Sequence, residues 1–341
     1  MNDDGLPRVA YPALPWQQAT LRELHARRAR WPHAVLLHGA EGIGKRILAH
    51  TLARALLCES PRAFGEACGE CPSCRYVAAG QHPDLRIVEP VEVDDDEVKR
   101  VEWIVVDRIR DLNAWAAITS HRGRAKVALI VPAERMNAAA ANALLKTLEE
   151  PPPDTHFLLV SHQPGRLPPT IASRCQRIMA PRPAMEEGSA WLRAQGVRDA
   201  DMLLAQASFA PLRALALADA GYQAERRVWL DALAAPKLLS PTMLGARIES
   251  APRDARRDRL GAAIDWVSGW CADVARVHAG ASPLAHPAWA GALRALAASV
   301  APPALFRYHR RLLRERTLLS HPLSPRLVAE ALLIDYRGLF T

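Results

Sequence analysis

An apolar run, a glycine-rich loop and a helical pattern follow one another directly in this chain. Residues 33–38 have an apolar strand pattern, residues 39–46 read GAEGIGKR, and residues 45–57 repeat apolar positions at helical spacing. A strand that enters a helix through glycines is typical of a phosphate-binding loop, whose backbone N–H groups can approach phosphates. The order therefore predicts a nucleotide-type α/β domain in this part of the chain.

The loop matches the phosphate-binding pattern at every position except the last. Gly39, Gly42 and Gly44 supply the backbone freedom, and Lys45 stands where the terminal phosphates of ATP would be held. The next position requires a hydroxyl for Mg²⁺, but Arg46 places a positive charge there. Two interpretations stay open: weak ATP binding through the glycines and the lysine, or a structural turn that closes the strand onto its helix.

Strand and helix patterns alternate up to about residue 180, and only helical patterns follow. Further predicted elements are strands at 84–90, 126–131 and 156–161 and helices at 17–29, 98–118 and 137–150. We expect a mainly parallel sheet with helices on both faces over 1–180, a small helical domain over 181–221 and an all-α domain over 222–341.

Charge and hydropathy indicate a protein outside the membrane. No apolar run reaches the roughly 18 residues that a membrane-spanning helix needs, and the acidic start MNDDG is unlike a signal peptide. We therefore expect a soluble, cytoplasmic protein. The net charge of +8 is compatible with nucleic-acid association, and equally with an arginine-rich coding bias.

Four of the six cysteines, Cys58, Cys68, Cys71 and Cys74, fall close together. Zinc binds tetrahedrally to thiolates, and CxxC turns aim two sulfurs at one ion. The spacing predicts a Cys₄ zinc site within 58–80, and four thiolates leave no open position, so the site should be structural. The alternative is a redox pair of Cys71 and Cys74, which a cytosolic compartment disfavours.

Several segments resemble the AAA+ subunits of the bacterial DNA polymerase III clamp loader. They are ANALLKTLEEPP at 141–152, FLLVSHQPGRLPPTIASRCQ at 157–176 with its SRC motif, the cysteine insert before HPD at 82–84, and SPRLVAEALLIDYR at 324–337. The resemblance implies that residues 1–180 are an AAA+ domain with a zinc module at 58–80. It also implies that 181–221 are a helical lid and 222–341 an oligomerising collar.

Some subunits of that family are ATP-hydrolysing motors and others are not, and single residues separate the two kinds. A motor needs an Asp for Mg²⁺ and then a Glu for water at the end of the strand 126–131. Pro132 and Ala133 stand there, and Glu134 lies one residue too far along. Together with Arg46, these losses predict that the chain does not hydrolyse ATP.

Two arginines have counterparts among the phosphate-contacting arginines of the family. The resemblance implies that Arg174, in the SRC motif, reaches the γ-phosphate held by a neighbouring subunit as an arginine finger. A surface salt bridge is the alternative for Arg174. Arg213 lies roughly where lid domains present a second phosphate-sensing arginine, although a position on a helix surface fits this residue as well.

The resemblance implies a role in DNA replication within the polymerase III holoenzyme, whose polymerase activity belongs to another subunit. Implied partners are the gamma or tau motors, delta, and, through the complex, the sliding clamp and primed DNA. Two alternative functions are an ATP-hydrolysing gamma- or tau-type motor and a zinc-dependent DNA-binding module. The basic stripe of Arg307, either Arg310 or Arg311, and Arg314 could face DNA, although a solvent- or subunit-facing surface is expected, with Leu312 and Leu313 turned to the core.

Overall fold

The computed structural model describes residues 13–340 apart from 28–30, 63–64, 91, 96–97, 102, 318 and 320–322. The chain divides into two compact units. The first contains the chain up to Trp191 together with Phe209–Arg213, and the second contains Leu192–Ser208 and the chain from Ala214 onward. None of the helices among the described residues is long and apolar enough to cross a membrane.

A five-stranded parallel sheet forms the centre of the first unit. In spatial order its strands are β2 (Leu85–Val88), β5 (Lys126–Ile130), β6 (Thr155–Ser161), β1 (Ala34–His38) and β7 (Gln176–Met179). The three central strands are almost wholly buried apolar runs, as strands covered on both faces must be. The predicted parallel sheet is therefore confirmed, and the exposed edge strand β7 is an addition to it.

Helices cover both faces of the sheet because alternate strand residues point to opposite sides. The helices of this unit are α1 (Gln18–Ala26), α2 (Lys45–Leu57), α3 (Pro72–Ala78), α4 (Val106–Ala117), α5 (Ala138–Glu149) and α6 (Pro169–Ala172). Val35 and Leu37 share a core with α1 and α2. Leu36, between them, shares the opposite core with α4 and α5.

The helix predicted over 98–118 is wrong in its first part. There, β3 (Glu92–Asp95) and β4 (Val98–Val101) form an antiparallel hairpin, and α4 begins only at Val106. Valines at 98, 101 and 105 have the spacing of a helix face, but β-branched residues also favour extended backbone. The aspartates that precede them disfavour a helix interior, so the pairing of two short strands replaces the extra helical turns.

The second unit is helical in all of its described elements. Its helices are α8 (Ala200–Gln206), α10 (Ala220–Ala234), α11 (Pro241–Glu249), α12 (Arg256–His278), α13 (Ala290–Ser299), α14 (Pro302–Thr317) and α15 (Pro325–Gly338), and α7 (Met185–Ala194) and α9 (Pro211–Leu217) each contribute residues to both units. Trp270 on α12 is fully buried and donates a 2.8 Å hydrogen bond to the hydroxyl of Tyr336 on α15. The domain boundaries at 180 and 221 stay predictions.

Candidate functional site

The glycine-rich loop joins β1 to α2 on left-handed glycines. Gly42 and Gly44 have φ angles of 78° and 89°, which residues with side chains rarely adopt. A Cβ on Gly42 would lie 2.8 Å from the Cβ of Arg213, and a Cβ on Gly44 would lie 2.8 Å from Nε2 of Gln17. The left-handed backbone therefore favours glycine at both positions, and at Gly42 the close approach of Arg213 adds to this, whether or not a ligand binds.

The segment before α1 closes one side of the loop. The indole N–H of Trp16 donates to the carbonyl oxygen of Ile43 at 3.0 Å, and the side-chain amide of Gln17 donates to that of Gly44 at 2.7 Å. Both donors are buried. Two carbonyl groups of the loop are thus satisfied from within the same unit, as buried backbone groups require.

The other side of the loop contacts the segment 209–213, which belongs to the same unit. The backbone N–H of Leu212 donates to the carbonyl oxygen of Gly42 at 3.0 Å, so the structure brings the neighbouring Arg213 to the loop. Lys45 is 2% exposed, and its ammonium donates to the carbonyl oxygen of Ala40 at 2.5 Å. These contacts support the interpretation of the loop as a structural turn.

The position that should carry a metal-binding hydroxyl is occupied by an ion pair. Arg46 pairs through Nη1 with Oε1 of Glu89, just after β2, and the two side chains are 16% and 31% exposed. Burial, and then the charges of Arg46 and Arg54, lower the pKa of His50 to about 4, one helical turn beyond Arg46. The position therefore offers a paired guanidinium, and no hydroxyl, to an incoming cation.

The end of β5 offers no carboxylate for Mg²⁺ at the two expected positions. Pro132 precedes a 3₁₀ turn over Ala133–Arg135, and Ala133 is buried in the core. Oε1 of Glu134 accepts hydrogen bonds from the backbone N–H groups of His162 at 2.8 Å and Gln163 at 3.1 Å. Oε1 of Glu134 therefore holds the backbone at the end of β6.

Arg174 lies at the surface, on the turn between α6 and β7. Its Nη1 donates to the carbonyl oxygen of Thr170 at 2.9 Å, and its Nη2 pairs with Oε1 of Glu149 at the end of α5. The side chain is 33% exposed. Next to it, Cys175 is buried, and burial raises the pKa of its thiol to about 11, as expected for a core residue.

The four clustered cysteines converge on one point. Their ligand atoms all lie within 4.8 Å of one another, with 3.9 Å between the sulfurs of Cys58 and Cys71 and between those of Cys68 and Cys74. Thiolates placed ~2.3 Å from a central ion in a tetrahedron have edges of about 3.8 Å, so the donor set fits zinc. Backbone N–H groups of Cys71 and Cys74 donate to the sulfurs of Cys68 and Cys71 at 3.3 and 3.4 Å.

A polar chain that the sequence did not predict ties the cysteine module to the sheet. Ser73 on α3 donates to Glu59 at 2.7 Å, and Glu59 also accepts from Arg122 at 2.6 Å. Asp84, fully buried, accepts from the backbone N–H groups of His121 and Arg122 at 2.8 and 3.0 Å. The HPD sequence immediately before a strand was the signal that could have identified this support.

The predicted basic stripe lies on α14 and is only partly a free surface. Arg307 and Arg310 are exposed, whereas Arg311 pairs with Asp335 of α15 in the same unit. Leu312 is buried as predicted, but the prediction for Leu313 is wrong, because its side chain is 51% exposed. The difference arises because Leu305, Tyr308 and Leu312 already form the buried side of this helix.

Comparison with known proteins points to one family. The family described as "DNA polymerase III, delta subunit" matches residues 16–183. DNA polymerase III subunit delta' of Pseudomonas aeruginosa is 40% identical over 267 residues, which is 77% of each chain. Subunit delta' of Escherichia coli is 31% identical over 299 residues, covering 85% of this chain and 84% of the relative. Subunit tau of Escherichia coli is 40% identical over 143 residues, covering 42% of this chain and 20% of tau.

Proposed function

Because the chain belongs to the DNA polymerase III subunit delta' family, we propose that it is a clamp-loader subunit that does not hydrolyse ATP and that completes the ATP site of a neighbouring motor. In this role it works with gamma- or tau-type motors and with delta to load the sliding clamp on primed DNA during replication. The similarity to tau over part of the chain supports a partner of that type. The single observation that carries the proposal is a partly exposed Arg174 oriented by two contacts, in a chain whose Mg²⁺-binding position is occupied by Arg46.

Loss of hydrolysis is supported by the contacts of the residues that stand where a motor subunit has its Mg²⁺-binding and water-activating groups. Phosphoryl transfer depends on a metal that neutralises the phosphate charge and on an acid that orients water. Here Arg46 pairs with Glu89, Ala133 is in the core, and Glu134 holds two backbone N–H groups. A nucleotide at this loop would have to keep its Mg²⁺ on its own oxygens and water. Gly39, Gly42, Gly44 and Lys45 therefore act primarily as a structural turn.

The role in trans is supported by the position of Arg174. Its side chain is at the surface of the first unit, and Ile171 and Cys175 on either side of it are buried. An arginine finger stabilises the charge that develops on the transferred phosphoryl group, and removing one lowers kcat by about 10³-fold or more. The turn thus presents a guanidinium on a fixed backbone, as such a role requires.

The cysteine module is proposed to hold a structural zinc ion. Cys58, Cys68, Cys71 and Cys74 would supply four thiolates, which fill a tetrahedral shell and leave no place for a substrate. The ion would fix the segment 58–80, and the contacts from Glu59 and Ser73 then hold that segment against the sheet. We propose no chemical step at this site.

The proposal is tested in a reconstituted complex of this chain with its motor and delta subunits. Arg174→Ala should lower the ATPase rate and clamp loading, while gel filtration shows an intact complex. Arg166→Ala, which removes an exposed arginine from the same segment, is the matched control and should change little. Equal rates for the wild-type and Arg174→Ala complexes would contradict the role in trans.

Two other functions make different predictions. A gamma- or tau-type motor would show steady ATP turnover by the isolated chain, abolished by Lys45→Ala. A zinc-dependent DNA-binding module would bind DNA tightly with a steep salt dependence, and Cys71→Ser would abolish that binding without unfolding the chain. Our proposal expects neither result.

A further inference from the structure

Arg174 forms an ion pair that is not part of the predicted role of the SRC motif. Oε1 of Glu149 pairs with its Nη2, while Nη1 donates to the carbonyl oxygen of Thr170. The side chain of Glu149 is 48% exposed and that of Arg174 is 33% exposed. A guanidinium has more N–H groups than these two contacts use, so a third partner can still be bound.

Both members of the pair stand on backbone that the core holds in place. Glu149 is the last residue of α5 and follows Leu148, which is 1% exposed. Arg174 lies between Ile171 and Cys175, and these residues belong to the same core cluster as Leu148. The distance between the two backbones is therefore set by packing, and the carboxylate meets the guanidinium without rearrangement of the fold.

We propose that Glu149 is a positioning residue for Arg174 that orients the guanidinium before it meets the neighbour's ATP, an inference that rests on the finger role proposed above. A free arginine side chain samples many rotamers, and fixing it in the one that contacts the phosphate costs conformational entropy. Contacts on both Nη atoms select an orientation in advance, and preorganised charge is what electrostatic catalysis requires.

The Glu149–Arg174 pair is exposed enough to orient the guanidinium without locking it in place. Ion pairs between solvent-exposed side chains are weak and screened by salt. Glu149 contacts a single Nη, so the carboxylate biases the guanidinium without locking it or shielding its other N–H groups. The other nitrogen, Nη1, donates to the neutral carbonyl oxygen of Thr170. That oxygen also accepts a hydrogen bond from the Ser173 hydroxyl at 3.2 Å.

The test compares kcat and KM for ATP in reconstituted complexes that carry Glu149→Ala, Glu149→Gln, Arg174→Ala or the double variant Glu149→Ala/Arg174→Ala. A misplaced catalytic group can cost up to about 10²-fold, so we expect Glu149→Ala to lower the Arg174-dependent part of kcat, which is the difference between the wild-type and Arg174→Ala complexes, about tenfold. KM should change little, because the finger acts in the transition state. Glu149→Gln keeps a hydrogen-bond acceptor, so its kcat should lie between those of the Glu149→Ala and wild-type complexes. Glu150→Ala, which removes a neighbouring exposed carboxylate, is the matched control.

The double variant separates this inference from the finger role itself. If Glu149 acts through Arg174, adding Glu149→Ala to Arg174→Ala should change kcat by less than about twofold. An undiminished effect in that background would overturn the positioning role, as would a wild-type or faster rate for Glu149→Ala alone. If Arg174→Ala itself leaves kcat unchanged, the finger role fails first. Gel filtration of each complex, with Glu149→Gln as the milder change, separates these results from a failure to assemble.

Discussion

Replacing Arg46 with threonine restores the hydroxyl of the phosphate-binding pattern and tests how the loop is now used. In the structure Arg46 pairs with Glu89, and the two side chains are only 16% and 31% exposed. A hydrogen bond to a charged group contributes about 1.5–3 kcal/mol, and an ion pair between solvent-exposed side chains about 0–1 kcal/mol. The intermediate burial places the expected cost of Arg46→Thr at about 1–2 kcal/mol of unfolding free energy.

Thermal unfolding of the purified variant measures that cost. For a unit of this size, 1–2 kcal/mol corresponds to a melting temperature lower by about 2–8 °C. Arg110→Thr, which breaks an exposed pair with Asp107 in the same unit, is the control and should cost less than about 0.5 kcal/mol. A double-mutant cycle with Glu89→Gln should show coupling of about 1 kcal/mol.

The same variant should not hydrolyse ATP. The new hydroxyl supplies one metal ligand, but Pro132 and Ala133 still supply neither a second ligand nor an acid for water. We expect turnover of the isolated Arg46→Thr chain to equal that of the wild type, and Lys45→Ala added to it to change nothing. Steady turnover that requires Lys45 would refute the reasoning, because it would show that Arg46 alone had blocked an otherwise intact site.

Three further predictions concern the loop, the cysteine module and the response to pH. Gly42→Ala should destabilise the chain by about 1–3 kcal/mol, because the new Cβ meets Arg213 and the backbone is left-handed. Gly80→Ala, also left-handed but with open space around it, should cost less, and equal costs by urea unfolding would argue against packing on the loop. The purified chain should contain stoichiometric zinc, and Cys71→Ser should lose it and expose 58–80 to protease while the second unit stays resistant; an unchanged digestion pattern would contradict a structural ion. Because the pKa of His50 falls from 6.5 to about 4 on folding, the unfolded chain binds a proton there that the folded chain does not, so unfolding free energy falls as pH drops from about 6.5 to 4. His50→Gln should reduce that fall, as urea unfolding at pH 7 and pH 5 would show, and an identical pH dependence would refute the assignment.

Local pattern predicted the elements whose burial is uniform. The central strands β1, β5 and β6 are continuous apolar runs, and α5 stops where three prolines follow, so the sequence signals agree with the packing. The strand β7 was missed because it is a four-residue edge strand whose side chains are mostly exposed. It exists through its pairing with β1, which residue patterns alone do not reveal.

The candidate site also has a part that local sequence predicts and a part that it does not. The cysteine cluster could be predicted because most of its ligands are close in sequence and zinc requires them to converge. The pairs that decide the use of the loop join distant residues, Arg46 with Glu89 and Trp16 with Ile43, and so does the pair of Arg174 with Glu149 that orients the proposed finger. Each depends on how helices dock on the sheet, and no local spacing encodes that docking.

The central claim is that this chain contributes to catalysis through Arg174 and not through its own phosphate-binding loop. The most direct measurement is the ATP turnover number of the reconstituted complex with either Lys45→Ala or Arg174→Ala introduced into this chain alone. Turnover with Lys45→Ala should stay within about twofold of the wild type, whereas Arg174→Ala should remove the contribution of one finger-dependent site. The reverse pattern, with turnover lost in Lys45→Ala and kept in Arg174→Ala, would contradict the claim.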